Sequence, residues 1–289
     1  MRFRYAIAAL CGLAVAVGAV AILSTGGSSP LNVSAVARAA ETTAHSEGAQ
    51  MLLSGTVTTP GATITMNGHG RMNFKAGEGD FTLTIGGLPA AAQAVLQGSS
   101  IEMTERMKAG AIYMDSPLFT GKLPGGVRWV KLDLASVTQA TGLNPSSMTS
   151  LGANPSQYLS FLKAAGASMS AVGHAKIRGV ATTHYAGRID LMQAMEKEAG
   201  SSAKAREALS KMASAMSGAK MPVDVWIDGS GRVRKEEVTI SVAAGGQQIG
   251  TKIDTEYFDF GSTPTVTVPA SSEVYDLTQQ SLQGLMAAQ

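Results

Sequence analysis

The stretch ATITMNGHGRMNF at residues 62–74 decides which kind of fold this chain can adopt. Its larger apolar side chains occupy positions of one parity, with polar residues or glycine between them: Ile64, Met66, Met72 and Phe74. Successive side chains of a β-strand point to opposite faces of a sheet, so this spacing predicts a strand with one apolar face. Such alternation is typical of antiparallel sheets.

The same alternation recurs along the chain and predicts further antiparallel strands. It is seen in three short sets, which are Phe81, Leu83 and Ile85, then Ile101 and Met103, then Ile112 and Met114. More strands are expected at residues 129–132, 180–189, 223–227, 233–242, 249–260 and 266–268. The turn sequence DGSG at residues 228–231 lies between two of these strands, which predicts a hairpin.

Helical segments interrupt the predicted sheet. They are expected at residues 33–45, 88–97, 155–165, 190–199, 203–217 and 273–288. In the fifth of them, Leu209, Met212 and Met216 are spaced so that they share one face of the helix. The pattern as a whole predicts an α+β fold, a curved antiparallel sheet of about ten strands covered by helices. We expect one such domain at residues 33–289, after a flexible linker at residues 24–32.

Composition excludes two classes of protein. Hydrophobic residues make up 45% of the 289 residues and charged residues 15%, the opposite of the balance that keeps a chain disordered. The net charge is +2, and Arg2 and Arg4 account for it, so we expect no binding to nucleic acid. The single cysteine, Cys11, excludes a disulfide framework and a cysteine zinc site within the chain.

The N-terminal segment predicts attachment to a membrane. Residues 5–23 carry no charge, and a helix of that length spans roughly 28 Å, close to the hydrocarbon thickness of a bilayer. Arg2 and Arg4 precede this run, which predicts a single-pass anchor at residues 1–23 with the domain outside the cytoplasm. Two alternatives remain open. One is a cleaved signal peptide, which would leave a secreted or periplasmic protein, and the other is lipidation at Cys11.

No group of residues in the sequence predicts catalysis. The motifs of metalloproteases, phosphate-binding loops and serine-hydrolase elbows are missing, and the GSG at residues 229–231 falls in a predicted turn. His184, with Tyr185 and Asp190 nearby in sequence, is compatible with a base and its carboxylate, but a hydrogen-bonded strand residue is the stronger interpretation. We therefore expect neither an enzyme nor a bound cofactor or metal.

The methionines suggest a binding surface. The chain has 15 of them, and several lie on apolar strand faces or helix stripes. Because unbranched thioether side chains adapt to apolar ligands of variable shape, we expect them to line a cavity for acyl chains. The expected lining comprises Ile64, Met66, Met72, Phe74, Phe81, Leu83, Met103, Met114, Leu209, Met212 and Met216. An ordinary packed core is the alternative.

Several motifs, in their order and spacing, resemble a known family. They are the Ala-rich helix and strand at residues 33–57, RWVKLDL at 128–134, GVATTHYAGRID at 179–190, PVDVWIDGSGRVR at 222–234, and FDFG at 258–261 followed by VTVP at 266–269. Together they resemble the actinobacterial LppX/LprAFG lipoprotein family, whose fold is similar to that of the LolA and LolB lipoprotein carriers. The resemblance covers residues 33–270. Members carry a lipidated cysteine directly after the signal, and Cys11 departs from that pattern.

This resemblance implies both a fold and a function. The implied fold is a half-open antiparallel barrel closed by helices, around an apolar cavity for lipids or lipidated glycans. We therefore expect a membrane-tethered, extracytoplasmic protein that holds such a ligand and takes part in its transport or retention in the envelope, together with a transport partner. A non-catalytic envelope sensor that regulates a membrane partner is the alternative. A hydrolase of envelope lipids is a third, for which no nucleophile–base pair is visible.

Overall fold

The computed structural model describes residues 33–90, 93–94, 98–119, 121, 123–141, 168–190, 220–244 and 247–277, and the statements below concern these residues. The membrane segment expected at residues 1–23, with Cys11, and the linker at residues 24–32 lie outside them. No helix in the described ranges is long and apolar enough to cross a membrane. The mode of attachment to a membrane therefore stays a prediction.

The described strands form one sheet of twelve. In chain order they are β1 (Ala49–Thr59), β2 (Ala62–Asn73), β3 (Glu78–Gly86), β4 (Ile101–Lys108), β5 (Ala111–Asp115), β6 (Trp129–Asp133), β7 (Ser168–Ile177), β8 (Val180–Asp190), β9 (Lys220–Asp228), β10 (Val233–Ala244), β11 (Gln247–Phe258) and β12 (Val274–Leu277). Across the sheet they are ordered β12-β6-β5-β4-β3-β2-β1-β11-β10-β9-β8-β7. All neighbouring pairs are antiparallel except β12 and β6, which are parallel. The predicted large antiparallel sheet is confirmed.

The alternation of apolar residues gives this sheet two different faces. We call inner the face that carries Leu53 of β1, Met66 of β2 and Leu83 of β3, all of which are buried. Their chain neighbours on the outer face, such as Asn67 and Thr84, are exposed. The register aligns positions of the same face in adjacent strands. The inner positions of twelve strands therefore form one continuous surface.

Helix α1 (Val33–His45) packs on part of this inner face, beside β7, β9 and β10. Its buried residues Val36, Ala39 and Ala40 share one side of the helix because they are three and four positions apart. The buried Thr43 continues that side, and its Oγ1 accepts a hydrogen bond of 2.8 Å from the backbone N of Val233 at the start of β10. The helix predicted at the start of the domain is thus confirmed. The hydrogen bond between Thr43 and Val233 connects it to the sheet.

A second helix, α2 (Leu134–Thr141), follows β6 directly and was not expected from the sequence. Asp133 Oδ1 accepts a hydrogen bond of 2.7 Å from the backbone N of Ser136, as an N-cap carboxylate does. Asp133 is also the last residue of β6. Because no turn residues separate the strand from the helix, the sequence carries no clear boundary between them.

The prediction of a helix at residues 273–288 is wrong for its first residues. Val274–Leu277 forms β12 and pairs in parallel with β6, with Val274 opposite Trp129. The edge of β6 offers backbone donors and acceptors to any extended segment that reaches it, and this pairing outweighs a weak local helix preference. Residues 278–289 lie outside the described part of the chain.

The prediction of a strand at residues 266–268 is also wrong, since these residues form no strand. The carbonyl oxygens of Val266 and Thr267 accept hydrogen bonds from the side chains of Lys108 and Arg106, each 2.8 Å long. Side chains of β4 thus satisfy these carbonyls, so the segment needs no neighbouring strand for them.

The predicted cover of helices is described only in part. Residues 155–165, 191–199 and 203–217 lie outside the described ranges. In those ranges, the inner face is covered by α1 and by the connection between β5 and β6, which contributes buried Phe119 and Leu123.

Candidate functional site

The inner face carries two apolar clusters rather than one. The α1 cluster joins buried residues of α1 to β1, β2, β7, β9, β10 and β11. The loop cluster joins buried residues of β1 to β6, β11 and β12 to the connection that contains Phe119 and Leu123. Partly buried Met107 of β4 packs against both clusters. A domain of this kind usually has one contiguous core, so the boundary between the clusters is informative.

At that boundary, four strands carry no apolar side chain on the inner face, whereas β3 and β1, which lie between them, carry Phe81 and Leu53. The residues of the four strands are Glu105 on β4, Gly68 and Gly70 on β2, Thr255 on β11 and Glu236 on β10. We call these five residues the polar strip. The register supports this grouping, because Glu236 lies directly opposite Thr255. The strip places two carboxyl groups and a hydroxyl group within an otherwise apolar surface.

Phe81 of β3 fills the space above the two glycines. It lies opposite Gly70 on β2 and opposite Glu105 on β4. A Cβ atom at Gly68 or Gly70 would come within 2.5 Å or 2.4 Å of the Phe81 ring. The ring therefore leans over β2, where only glycine leaves room for it, and away from the β4 carboxyl group.

Glu105 is the more unusual of the two buried acids. The residue is 6% exposed, its directly paired neighbours are Phe81 and Met114, and no described residue forms a hydrogen bond with its Oε2. Burial raises the pKa of Glu105 to about 7, because the apolar surroundings disfavour the charged form. A buried carboxyl group without a partner is rare in proteins and calls for an explanation.

Glu236 is buried to the same degree but has a partner. The Tyr257 hydroxyl donates a hydrogen bond of 3.1 Å to Glu236 Oε1. Burial raises the pKa of Glu236 to about 8, and the bond from Tyr257 opposes that rise. Beside it, Thr255 is fully buried and its Oγ1 has no hydrogen-bond partner among the described residues. The strip thus contains two polar atoms with unused hydrogen-bonding capacity, one at each acid.

The structure divides the predicted cavity residues between the clusters. Buried in the loop cluster are Met66, Leu83, Met103 and Met114, with Ile64 and Phe81 partly buried against it. Buried in the α1 cluster are Met72 and Phe74. Outside the described residues lie Leu209, Met212 and Met216. The described residues thus share the inner face, while their contact with a ligand stays a prediction.

The polar strip was not predicted from the sequence, although a signal for it is present. In β4 the apolar alternation runs through Ile101, Met103 and Met107, and Glu105 occupies the same parity. An acidic residue at an apolar position of a strand predicts either a buried carboxyl group or a break in the strand. By contrast, nothing in the local sequence links Glu236 to Tyr257, because the two meet only when β10 pairs with β11.

Several polar residues of the outer face lie beside oppositely charged or hydrogen-bonding partners. His184 Nε2 lies 2.6 Å from Asp224 Oδ1, and the His184 ring stacks on Trp226 with 4.3 Å between ring centroids. Asp224, rather than Asp190, is therefore the carboxylate beside this histidine. Lys235 Nζ lies 2.6 Å from Asp254 Oδ1 on the next strand. Within the described ranges, no three metal-ligating side chains come together.

A separate polar cleft of about 390 Å³ lies where β5 leads into its following connection. Its walls include Asp115, Ser116 and Arg128. Arg128 donates a hydrogen bond of 2.5 Å to the largely buried Asp115 carboxylate, so this buried charge is already paired. None of the buried side-chain atoms that lack a hydrogen-bond partner in the described ranges lies in this cleft.

Comparison with known proteins places these features in context. No family model matches the chain. An uncharacterized 31.2 kDa protein of Streptomyces griseus, from the rplA-rplJ intergenic region, is 24% identical over 163 residues, or 55% of this chain and 52% of that protein. The chain thus spans about half the length of the curated relative that it matches.

Two solved structures that are similar to this chain are lipoproteins. Mycobacterium tuberculosis LppX is 15% identical, with a TM-score of 0.44, and the match covers 83% of this chain and all of LppX. Mycobacterium bovis LprF is 13% identical, with a TM-score of 0.43, and the match covers 85% of this chain and all of LprF. Both are lipoproteins of the group that the sequence motifs resemble.

Proposed function

We propose that this chain binds a lipid on the inner face of its sheet and takes part in the transport or retention of that lipid in the cell envelope, without catalysing a reaction. One observation carries the proposal. The inner face combines two methionine-containing apolar clusters with a polar strip whose Glu105 Oε2 and Thr255 Oγ1 have no partner among the described residues. An amphiphilic ligand would satisfy both parts of that surface.

Binding of a lipid needs no reactive group. Each CH₂ group that moves from water to an apolar surface gains about 0.8 kcal/mol, so acyl chains alone supply the binding energy. Met66, Met103 and Met114 lie in the loop cluster, and their unbranched side chains adapt to chains of different length. The polar strip would then meet the polar part of the ligand, at the boundary between the two clusters.

The envelope location of this function rests on the N-terminal sequence. Residues 5–23 are uncharged and follow Arg2 and Arg4, which is the pattern of a segment that enters a membrane with the following domain outside the cytoplasm. A lipid-binding domain held in that position would exchange its ligand with the membrane or with a neighbouring envelope protein.

Native mass spectrometry of the full-length chain in detergent, with extraction of bound lipid, tests the proposal. We expect a lipid to co-purify, or a fluorescent acyl lipid to bind with saturation. Met66→Trp, on the inner face, should reduce that binding, whereas Asn67→Trp, the adjacent exposed residue on the outer face, should not. A chain that neither co-purifies with lipid nor takes up the fluorescent lipid would favour the sensor or interaction protein instead.

A further inference from the structure

We propose that Glu105 is a specificity-determining residue, which donates a hydrogen bond to the ester carbonyl oxygen of a bound acyl lipid. This inference rests on the proposed lipid-binding function and assigns its polar contact to one side chain. It predicts that the chain prefers acyl esters over the corresponding alkyl ethers.

The position of Glu105 carries the inference. Its directly paired neighbours are Phe81 and Met114, and Met103 and Met107 are the next residues on the same face of its own strand. None of these four side chains can donate a strong hydrogen bond. Glu105 is nonetheless 6% exposed, and its Oε2 has no partner in the described part of the chain. A buried polar atom left in this state destabilises a fold by about 1–3 kcal/mol unless a ligand or an ordered water satisfies it.

The chemistry of the acid selects the kind of partner. A neutral carboxyl group has one O–H donor and needs an acceptor, and burial keeps the Glu105 acid neutral at mildly acidic pH because its pKa is raised to about 7. Among the polar groups of a lipid, an ester carbonyl oxygen is a good acceptor that sits directly beside the acyl chains. A phosphate would instead place a negative charge in an apolar region, which is unfavourable.

The Phe81 ring lies on one side of Glu105. It leans over Gly68 and Gly70 of β2, the strand on the other side of β3 from Glu105. Phe81 and Met107 are partly buried, whereas Met103 and Met114 are 1% exposed. The proposed ligand would therefore approach the Glu105 carboxyl group from the side of Phe81 and Met107.

Binding of a matched lipid pair to the full-length chain in detergent at pH 6 tests the inference. The pair is dioleoylglycerol and the dialkyl ether of glycerol with the same chains, which differ only in the two ester carbonyl groups. We expect the wild type to bind the ester about fivefold more tightly, the effect of one hydrogen bond of about 1 kcal/mol. Glu105→Met, similar in size, should remove this preference, whereas Glu105→Gln should keep it because its amide still donates.

Glu102→Gln is the matched control, since Glu102 lies on the same strand but is exposed on the outer face. It should leave the preference for the ester unchanged. Equal binding of ester and ether by the wild type, or a preference that survives in Glu105→Met, would overturn the assignment of Glu105 and leave the proposed function standing. Failure of the wild type to bind either lipid would count against the proposed function itself.

A spectroscopic measurement covers the case in which Glu105→Met does not fold. The infrared band of a carbon-13-labelled ester carbonyl moves to lower frequency when the carbonyl accepts a hydrogen bond. We expect that shift for the labelled lipid bound to the wild type and to Glu102→Gln. A bound carbonyl whose band stays at the position seen in an apolar solvent would exclude the proposed hydrogen bond.

Discussion

Glu105 and Glu236 are two acids on the same face of the same sheet, buried to nearly the same extent, at 6% and 5% exposure. They differ in what the neighbouring strands present. Beside Glu236, β11 offers the hydroxyl of Tyr257, whereas beside Glu105 the paired residues are Phe81 and Met114. Among the described residues, the Tyr257 hydroxyl therefore gives Glu236 a partner, while Glu105 Oε2 has none.

The difference shows how each acid is accommodated among the described residues. In the half of the inner face that contains α1, the Tyr257 hydroxyl donates a hydrogen bond to Glu236, although Thr255 Oγ1 beside it has no partner there. In the half that contains the loop cluster, Glu105 Oε2 has no partner in the described ranges. A structural polar network is satisfied internally, while a binding site keeps hydrogen-bonding capacity for its ligand. The comparison thus favours the loop cluster as the place where the polar part of a ligand binds.

The pH dependence of stability should show the largest effect. Both acids have pKa values raised by burial, to about 7 for Glu105 and about 8 for Glu236, so the folded state holds these protons more tightly than the unfolded state. Their contribution is fully present below about pH 4.5 and is lost as the pH rises to the folded-state pKa values, on the order of 3 kcal/mol for Glu105 and on the order of 5 kcal/mol for Glu236. Denaturant unfolding from pH 5 to pH 9 measures it.

Single variants separate the two acids in that experiment. Glu105→Gln should remove the part of the decline that ends near pH 7, and Glu236→Gln the part that ends near pH 8. A pH profile that neither variant alters would mean that neither acid is held neutral by its surroundings.

Removal of the Tyr257 hydroxyl should have the next largest effect. Tyr257→Phe leaves Glu236 Oε1 without its donor and should lower the free energy of unfolding by about 1–3 kcal/mol. Tyr113→Phe, at a partly buried position of β5 on the outer face, is the control and should change stability by less than about 0.5 kcal/mol. Equal losses in both variants would show that the Glu236–Tyr257 bond contributes nothing specific.

Replacement of the unsatisfied acid should act in the opposite direction. Glu105→Met exchanges a buried carboxyl group for an apolar side chain of similar size among methionines, so the lipid-free protein should be more stable by about 1 kcal/mol. Glu102→Met, at an exposed position of the same strand, should be nearly neutral. Thermal melts of delipidated protein compare the two. A clear loss of stability in Glu105→Met would show that the acid already has a structural partner.

A substitution outside both halves of the inner face should have the smallest effect on stability and lipid binding. Ser230 is exposed in the turn between β9 and β10, where its backbone N donates a hydrogen bond of 2.9 Å to Asp228 Oδ1. Ser230→Ala keeps that backbone bond, so both stability and lipid binding should stay within about 0.5 kcal/mol of the wild type. Loss of a measured hydrolytic activity in this variant would contradict the non-catalytic function proposed for the chain.

Local sequence was enough to predict the sheet and its apolar face. The period-two pattern of Ile64, Met66 and Met72 reflects the geometry of a single strand, which does not depend on distant parts of the chain. Helix α1 and the hairpin at residues 228–231 were predictable for the same reason, because turn and periodicity signals lie within a few residues of one another.

The other features of the fold depend on pairing between strands that are far apart in the sequence. β1 lies beside β11, so that Leu53 faces Thr255, and β12 joins β6 although its sequence suggested a helix. The parity of Glu105 on β4 was visible in the sequence, but whether a donor would reach it depended on which strands lie on either side. Tyr257 reaches Glu236, 21 residues away, and no donor reaches Glu105 Oε2 within the described chain. Alternation assigns a residue to a face, whereas its neighbours on that face are set by strand order and register, which only the tertiary structure provides.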